Sequence, residues 1–198
     1  MDIDLDFGDR DQILSKIKYI PAAIMREGKL SKHVSGVYVN DMPVNSLSNT
    51  AAIDYITAEN LGYVKIDLLN VGLYKQITSP EQLDQLMSQE PDWSRLQDPT
   101  FFGQLIHIGK HYSTMKRMPE PIDSVVKLAM FLAIIRPAKR HLIGLPWKQV
   151  AKTVWEKSSD GTYAFKQAHG ISYAHLVLVN MNLLDFSNKE NTTPFTLL

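Results

Sequence analysis

The sequence has 198 residues, 44% of them hydrophobic, with 21 Lys and Arg against 21 Asp and Glu and no cysteine. That length suits one compact domain with a small appendage and is ample for a buried core. The lack of thiols excludes disulfides and thiolate zinc sites and suits a reducing cytoplasm; no apolar run reaches membrane-spanning length, and the acidic first residues are unlike a secretory signal peptide.

In chain order, Asp2-Ile3-Asp4-Leu5-Asp6-Phe7 alternates acidic and apolar residues. This predicts a strand with three carboxylates on one face and Ile3, Leu5 and Phe7 on the other. Gly8 turns the chain, and Asp9 or Asp11 then caps a helix carrying Ile13, Leu14, Ile17 and Ile20. Pro21 predicts the start of a second short helix, which Gly28 ends. His33 to Val39 reads as a strand, closed by a turn at Asn40-Asp41-Met42-Pro43. After a polar stretch rich in Ser and Asn, Gly62 to Leu69 reads as another strand. Lys65 and Asp67 share one of its faces, and Val64, Ile66 and Leu68 the other.

The remainder is helical by pattern. Ser79-Pro80 starts a helix that runs to Ser88. Asp98-Pro99 opens one through Phe102, Leu105 and Ile106, and a third over 112–118 stops before Pro119. Asp123 is the expected cap of the most apolar helix, 124–135, which Arg136-Pro137 ends. A basic loop then leads to an amphipathic helix over 147–157 with Trp147, Val150, Ala151, Val154 and Trp155 inward. Ser158 to Gly161 is a turn. A final apolar helix lies within 163–184 and starts near Ser172, and a flexible tail covers 185–198. The order of elements predicts an α+β protein: a small mixed β-sheet region over 1–77, then a mainly helical region over 78–184.

Formal neutrality hides an asymmetry. Residues 1–105 carry 15 acidic and 9 basic groups, a balance of −6, whereas 106–157 carry 10 basic and 3 acidic, a balance of +7. That division suits a protein holding a cation in one part and phosphates in another, although solvated faces of opposite sign would look the same. Bunched carboxylates repel, and a divalent cation resolves the conflict; hard oxygen ligands suit Mg²⁺ or Mn²⁺. Asp4 and Asp6 on one strand, with Asp67 on a neighbouring one, would form the three-carboxylate cluster of two-metal phosphoryl transfer. Lys65, two residues from Asp67, is either its salt-bridge partner or a phosphate contact. Arg136 ends a buried helix, where the dipole favours positive charge with or without a triphosphate. A helix would place Lys166, His169 and Tyr173 on one face unless Gly170 interrupts it. Lone histidines such as His33 and His169 serve structure more often than chemistry. The sequence has neither a Gly-rich phosphate loop nor a His-Glu-x-x-His pattern.

Five short segments, in this order, resemble the catalytic core of the bacterial replicative DNA polymerase III alpha subunit, family C. Met1-Asp2-Ile3-Asp4-Leu5-Asp6-Phe7, followed by Arg10-Asp11-Gln12, is similar to that family's Pro-Asp-x-Asp-x-Asp-Phe strand. Lys32-His33-Val34-Ser35-Gly36-Val37 is similar to its Lys-His-x-x-Gly-Val strand, and Val64-Lys65-Ile66-Asp67-Leu68-Leu69 to its Val-Lys-x-Asp strand. Ile134-Ile135-Arg136-Pro137, with Met115-Lys116 upstream, resembles its helix ending in Arg-Pro. Phe165-Lys166-Gln167-Ala168-His169-Gly170-Ile171-Ser172-Tyr173-Ala174 resembles its Phe-x-Lys-x-His-x-x-x-Tyr-Ala signature.

The resemblance implies a palm of the polymerase-beta-like nucleotidyltransferase type with a reduced, fingers-like helical region. Asp4, Asp6 and Asp67 would hold Mg²⁺ (or Mn²⁺). His33, Lys65, Arg136, Lys166 and His169 would contact the nucleoside triphosphate or the primer end. The implied protein is a miniature DNA polymerase or related nucleotidyltransferase acting on a DNA primer-template. It would be of viral or mobile-element kind, in the cytoplasm of its host, with a partner protein supplying DNA grip. RNA-templated or template-free transfer would use the same site. The chain departs from the family in lacking the amino-terminal phosphoesterase domain, in having almost no room for a thumb, and in having only Met1 ahead of the aspartate strand where nucleotidyltransferases carry a Gly-Ser element. Ala138 and Ala164 stand where the family has Gly and Asn. These departures support a second expectation, a catalytically inactive palm derivative serving as a DNA-binding or replisome-interaction module.

Overall fold

A computed structural model describes residues 2–157 and 165–192. The protein is α+β, with a small mixed sheet and more helix than strand. It divides into two compact units, Met1–Thr78 and Ser79–Leu198, where length alone suited one. Among the described residues, no helix is long and apolar enough to cross a membrane.

The first unit runs β1 (Asp2–Phe7), α1 (Arg10–Leu14), β2 (Ile20–Arg26), β3 (Lys29–Tyr38), β4 (Val44–Asn45), β5 (Thr50–Ala51), α2 (Tyr55–Asn60) and β6 (Lys65–Asn70). Four strands form one sheet in the order β1-β6-β3-β2. β1 and β6 are parallel, and the other two pairings are antiparallel. Asp9 caps α1 by accepting a hydrogen bond from the Asp11 amide at 3.1 Å. The helix stops at Leu14, so Ile17 and Ile20 lie beyond it.

The helix expected from Pro21 to Gly28 is instead strand β2. Arg26 pairs with Lys29, leaving Glu27 and Gly28 as a two-residue hairpin loop. Their φ values of 49° and 75° are those of a type I′ turn, which matches the twist of the flanking strands. Pro and Gly therefore punctuate a hairpin here. Pro21 is tolerated because β2 is an edge strand with a register shift between Pro21 and Ala23. The small β4–β5 hairpin and α2 had no clear sequence signal. Asp54 caps α2, accepting from the Ile56 and Thr57 amides at 3.1 and 3.2 Å.

The second unit contains α3 (Pro80–Ser88), α4 (Pro99–Gly103), α5 (Tyr112–Met115), α6 (Val125–Ile134), α7 (Trp147–Thr153) and α8 (Gln167–Thr192), with short 3-10 turns between them. Ser79 and Asp98 cap α3 and α4 as their sequence contexts predict. The cap of α6 is Ser124 rather than Asp123: its Oγ accepts from the Lys127 amide at 3.3 Å. Asp123 instead pairs with the Lys127 ammonium at 2.7 Å. The expected basic loop after Arg136 is a 3-10 turn, Pro137–Leu142. The turn expected at Ser158–Gly161 lies outside the described residues.

Helix α8 begins before Ser172 and continues through the segment expected to be a loose tail, as far as Thr192. Gly170 does not interrupt it; a Cβ there would stand 2.7 Å from the Trp155 ring, so the missing side chain admits that ring. Two buried asparagines tie α8 into its unit. Asn180 Oδ1 accepts from the Ile106 amide at 2.9 Å, and Asn182 Nδ2 donates to the Leu86 and Gln89 carbonyls at 2.8 and 2.9 Å. Around them lies one continuous apolar core, including Phe101, Phe102, Leu128, Phe131, Val150 and Met181.

Candidate functional site

In the first unit, the register of β1 on β6 decides the site. Asp4 stands opposite Asp67, and Asp2 opposite Lys65. Paired residues of neighbouring strands lie about 4.8 Å apart and point to the same face of the sheet. Period-two alternation therefore puts Asp4, Asp6, Lys65 and Asp67 on one face. Asp4 and Asp6 are exposed, whereas Lys65 and Asp67 are buried.

A buried carboxylate needs partners, and Asp67 has them. Ser35 Oγ donates to its Oδ1 at 2.7 Å, and the Lys65 ammonium donates to its Oδ2. Burial alone would raise the Asp67 pKa, but the hydrogen bonds from Lys65 and Ser35, with the Lys65 charge, hold it below the usual carboxylate value. Lys65 also lies 5.6 Å over the Tyr55 ring, and His33 packs edge-on against the same ring at 5.5 Å. His33 Nδ1 accepts from the Gly36 amide at 2.9 Å and the Ser35 amide at 3.3 Å. The same nitrogen stands 3.6 Å from Asp67 Oδ1. Gly36 is required at this position. A Cβ there would meet the Lys65 stem at 2.8 Å and His33 Nδ1 at 2.9 Å.

Asp6 meets a different environment. Partial desolvation by its neighbours, then the charge of Asp4, pushes its carboxyl above the usual carboxylate pKa. Burial, followed by the charge of Asp6, pushes the Tyr74 phenol up in turn. The donor set on this face is all oxygen and is crowded with negative charge, which fits a hard divalent cation. Among the described residues, no three His, Asp or Glu side chains are gathered as a bound ion would gather them. At Asp67, Oδ2 holds the Lys65 ammonium and Oδ1 the Ser35 hydroxyl.

The remaining predicted residues belong to the second unit. Arg136 follows α6, with its guanidinium carbon 5.1 Å from the Phe165 ring centroid. Its Nε is buried and has no hydrogen-bond partner among the described residues. Phe165 stacks on Tyr173 at 5.6 Å and lies 6.2 Å from the His169 ring. His169 and Tyr173 occupy successive turns of α8, four residues apart on one face. Lys166 is exposed just before the helix, and its carbonyl accepts from the Gly170 amide at 2.9 Å.

Sequence reasoning missed five side chains at these places. Ser35, Tyr55 and Tyr74 surround the acidic face, and His107 and His111 lie near Arg136. Ser35 sits inside the matched Lys32–Val37 segment, and His107 and His111 are four apart in a basic stretch; those were the available signals. Comparison with protein families, with curated proteins and with solved structures finds no match for this chain.

Proposed function

We propose that the first unit is a polymerase-beta-like palm and that the protein is a miniature DNA polymerase or related nucleotidyltransferase. In this reading it extends a primer 3′-hydroxyl with a nucleoside triphosphate. The observation that carries the proposal is the parallel register that sets Asp4 beside Asp67, with Asp6 on the same face. Asp4, Asp6 and Asp67 would hold Mg²⁺ or Mn²⁺, which when bound would acidify the attacking hydroxyl and offset charge on the phosphates. Ser35 orients Asp67 by donating to it, and burial against Tyr55 keeps Lys65 on that carboxylate. Once displaced from Asp67, the Lys65 ammonium is a phosphate contact on the same face. Within the second unit, Arg136, Lys166 and His169 are cationic and polar groups suited to phosphates or DNA. The test is primer extension with Mg²⁺ or Mn²⁺, comparing the natural chain with Asp4→Asn/Asp6→Asn. Incorporation by the natural chain alone supports the reading; equal incorporation by both removes the catalytic role.

One observation favours a second reading. The Lys65–Asp67 pair already neutralises the central carboxylate, as expected of a palm derivative that no longer takes up metal and serves as a DNA-binding or replisome-interaction module. That reading predicts DNA binding that weakens steeply with salt. It also predicts no gain in thermal stability on adding Mg²⁺ or Mn²⁺, whereas a specific ligand stabilises the folded state by mass action.

A further inference from the structure

A basic surface of the second unit is used by nothing described so far. None of residues 124–155 is acidic, whereas Lys127, Arg136, Lys139, Arg140, Lys148 and Lys152 are basic. Within this stretch α7 is amphipathic. Trp147 and Val150 are buried, as is Val154 at its C-terminal end. At about 100° per residue, Lys148 and Lys152 fall on the opposite side of the helix, one turn apart, and both are exposed. The 3-10 turn Pro137–Leu142 is tied to the end of this helix, because the Lys139 ammonium donates to the Thr153 carbonyl at 2.7 Å. Arg140 and Lys152 each adjoin one member of that contact. Arg140 is exposed, and its Nε reaches the Ile135 carbonyl at 3.5 Å. Among the described residues, no carboxylate pairs with Lys139, Arg140, Lys148 or Lys152. Glu156, the first acid after Asp123, is exposed, and its amide shares the Thr153 carbonyl at 3.2 Å.

We propose that Arg140, Lys148 and Lys152 form a docking face for the sugar-phosphate backbone of a nucleic acid. None of these three cations belongs to the phosphate contacts read above for Arg136, Lys166 and His169, and the face lies within the second unit alone. The choice of nucleic acid as partner rests on the polymerase reading or its DNA-binding alternative; the face itself rests on the arrangement of charge. Lys139 supports it from beneath. Its ammonium is buried and has a carbonyl, not a carboxylate, for its partner. That carbonyl belongs to the C-terminal end of α7, where the helix dipole concentrates negative charge. The buried cation therefore offsets the pole of this helix that would repel a phosphate.

The surroundings favour a backbone polyanion over an anionic membrane. A helix that lies on lipid buries an apolar face among the acyl chains. The apolar face of α7 is already in the protein core, and no large aliphatic or aromatic side chain of residues 136–157 is exposed. The cations stand on a turn and an exposed helix face rather than around a cavity, which suits a row of phosphates better than one small anion. Gln149 and Ala151 complete the exposed side of α7, so no exposed ring lies between the lysines to stack on a base. Such a face positions a strand without reading its sequence. Each Lys or Arg that neutralises a phosphate releases counterions. The number of contacts is therefore readable as a salt slope, about 0.9 per contact on a duplex and about 0.7 on a single strand.

The experiment is a fluorescence-anisotropy titration of the full chain with labelled single-stranded and duplex oligonucleotides of unrelated sequences. It is run over a series of salt concentrations, without nucleotide or divalent cation. The expected result is sequence-independent binding whose logarithm falls linearly with the logarithm of salt. Lys148→Gln/Lys152→Gln should flatten that slope by about 1.8 on the duplex or about 1.4 on the single strand, and adding Arg140→Gln by about 0.9 or 0.7 more. The control Lys16→Gln/Lys18→Gln makes the same change of net charge in the first unit and should leave the slope as it is. Amide NMR of the natural chain decides the matter even if a variant fails to fold, since the signals of α7 and of the 137–142 turn should shift on adding oligonucleotide. Absence of binding, a slope unchanged in the α7 variant, an equal loss in the control, affinity that depends on sequence, or release of the oligonucleotide by phosphatidylserine vesicles would each overturn the proposal. Binding without primer extension leaves the face in place and removes the polymerase reading; extension with an unchanged slope removes the face alone.

Discussion

The two units rest on different foundations. The second unit rests on one large core of aromatic and aliphatic side chains running from Leu96 to Met181. Among the described residues, the first has small clusters: alanines with Tyr38 and Met42 in one, and Leu14, Val37 and Leu68 in another. Ile3 and Leu5 on the apolar face of β1 remain 40% and 42% exposed. The buried Lys65–Asp67 pair lies in this thinner unit. A buried ion pair is seldom more stabilising than an apolar replacement, yet removing one partner is strongly destabilising.

The largest expected effect breaks the stronger unit. Phe131→Ala, at a fully buried position, should cost about 3–5 kcal/mol through lost burial and a cavity. All three tryptophans (Trp93, Trp147 and Trp155) belong to the second unit, so tryptophan fluorescence in a urea titration reports the loss there. Asp67→Asn should cost roughly 3 kcal/mol in the first unit by taking the carboxylate charge away from the buried Lys65 ammonium. Amide NMR signals of β1 and β6 would follow that transition. Lys65→Met/Asp67→Leu should recover most of the loss, because it removes both charges together. If Asp67→Asn were neutral, the contrast between the units drawn here would fail.

A smaller effect tests the hairpin that sequence reading took for a helix. Gly28→Ala meets no neighbouring atom within 4 Å but keeps a φ of 75°. It should therefore cost about 1–2 kcal/mol from the left-handed backbone alone. A helix C-terminus at Gly28 would carry a similar penalty, so the discriminating readout is structural: cross-strand nuclear Overhauser contacts between Arg26 and Lys29.

That ambiguity shows what was legible and what was not. Asp2 to Phe7 and the strand ending near Leu69 were readable, because period-two alternation has one geometric meaning. Pro21 and Gly28 were misread, because the same residues open and close both a helix and an edge-strand hairpin; pairing with β3, a long-range event, decides between them. Helix α8 was read as shorter than it is, because Gly170 and the polar residues after Leu184 suggest breaks, while the Trp155 ring that exploits Gly170 is invisible in one dimension. At the site, alternation placed Lys65 beside Asp67. Ser35 and Tyr55 reach them only through β3 and α2, whose placement depends on the sheet order. The two histidines near Arg136 acquire their setting from tertiary packing, which no local pattern encodes.

The smallest effects separate two adjacent residues that compete for one role. Both Asp123 and Ser124 are good capping residues by type, and only geometry distinguishes them. Ser124 has the extended φ and ψ of a cap, −160° and 157°, and its hydroxyl meets the Lys127 amide. Removing it leaves an amide of α6 without its acceptor, so Ser124→Ala should cost about 1 kcal/mol. Asp123 pairs with the Lys127 side chain across one helical turn, and its own side chain is 52% exposed. Water and salt screen such a pair, so Asp123→Ala should cost only about 0.3–0.5 kcal/mol, and less at high salt. Fluorescence-detected urea midpoints for the two variants, in low and high salt, test the order. A larger, salt-insensitive loss from Asp123→Ala would return the cap to the residue that sequence reading chose.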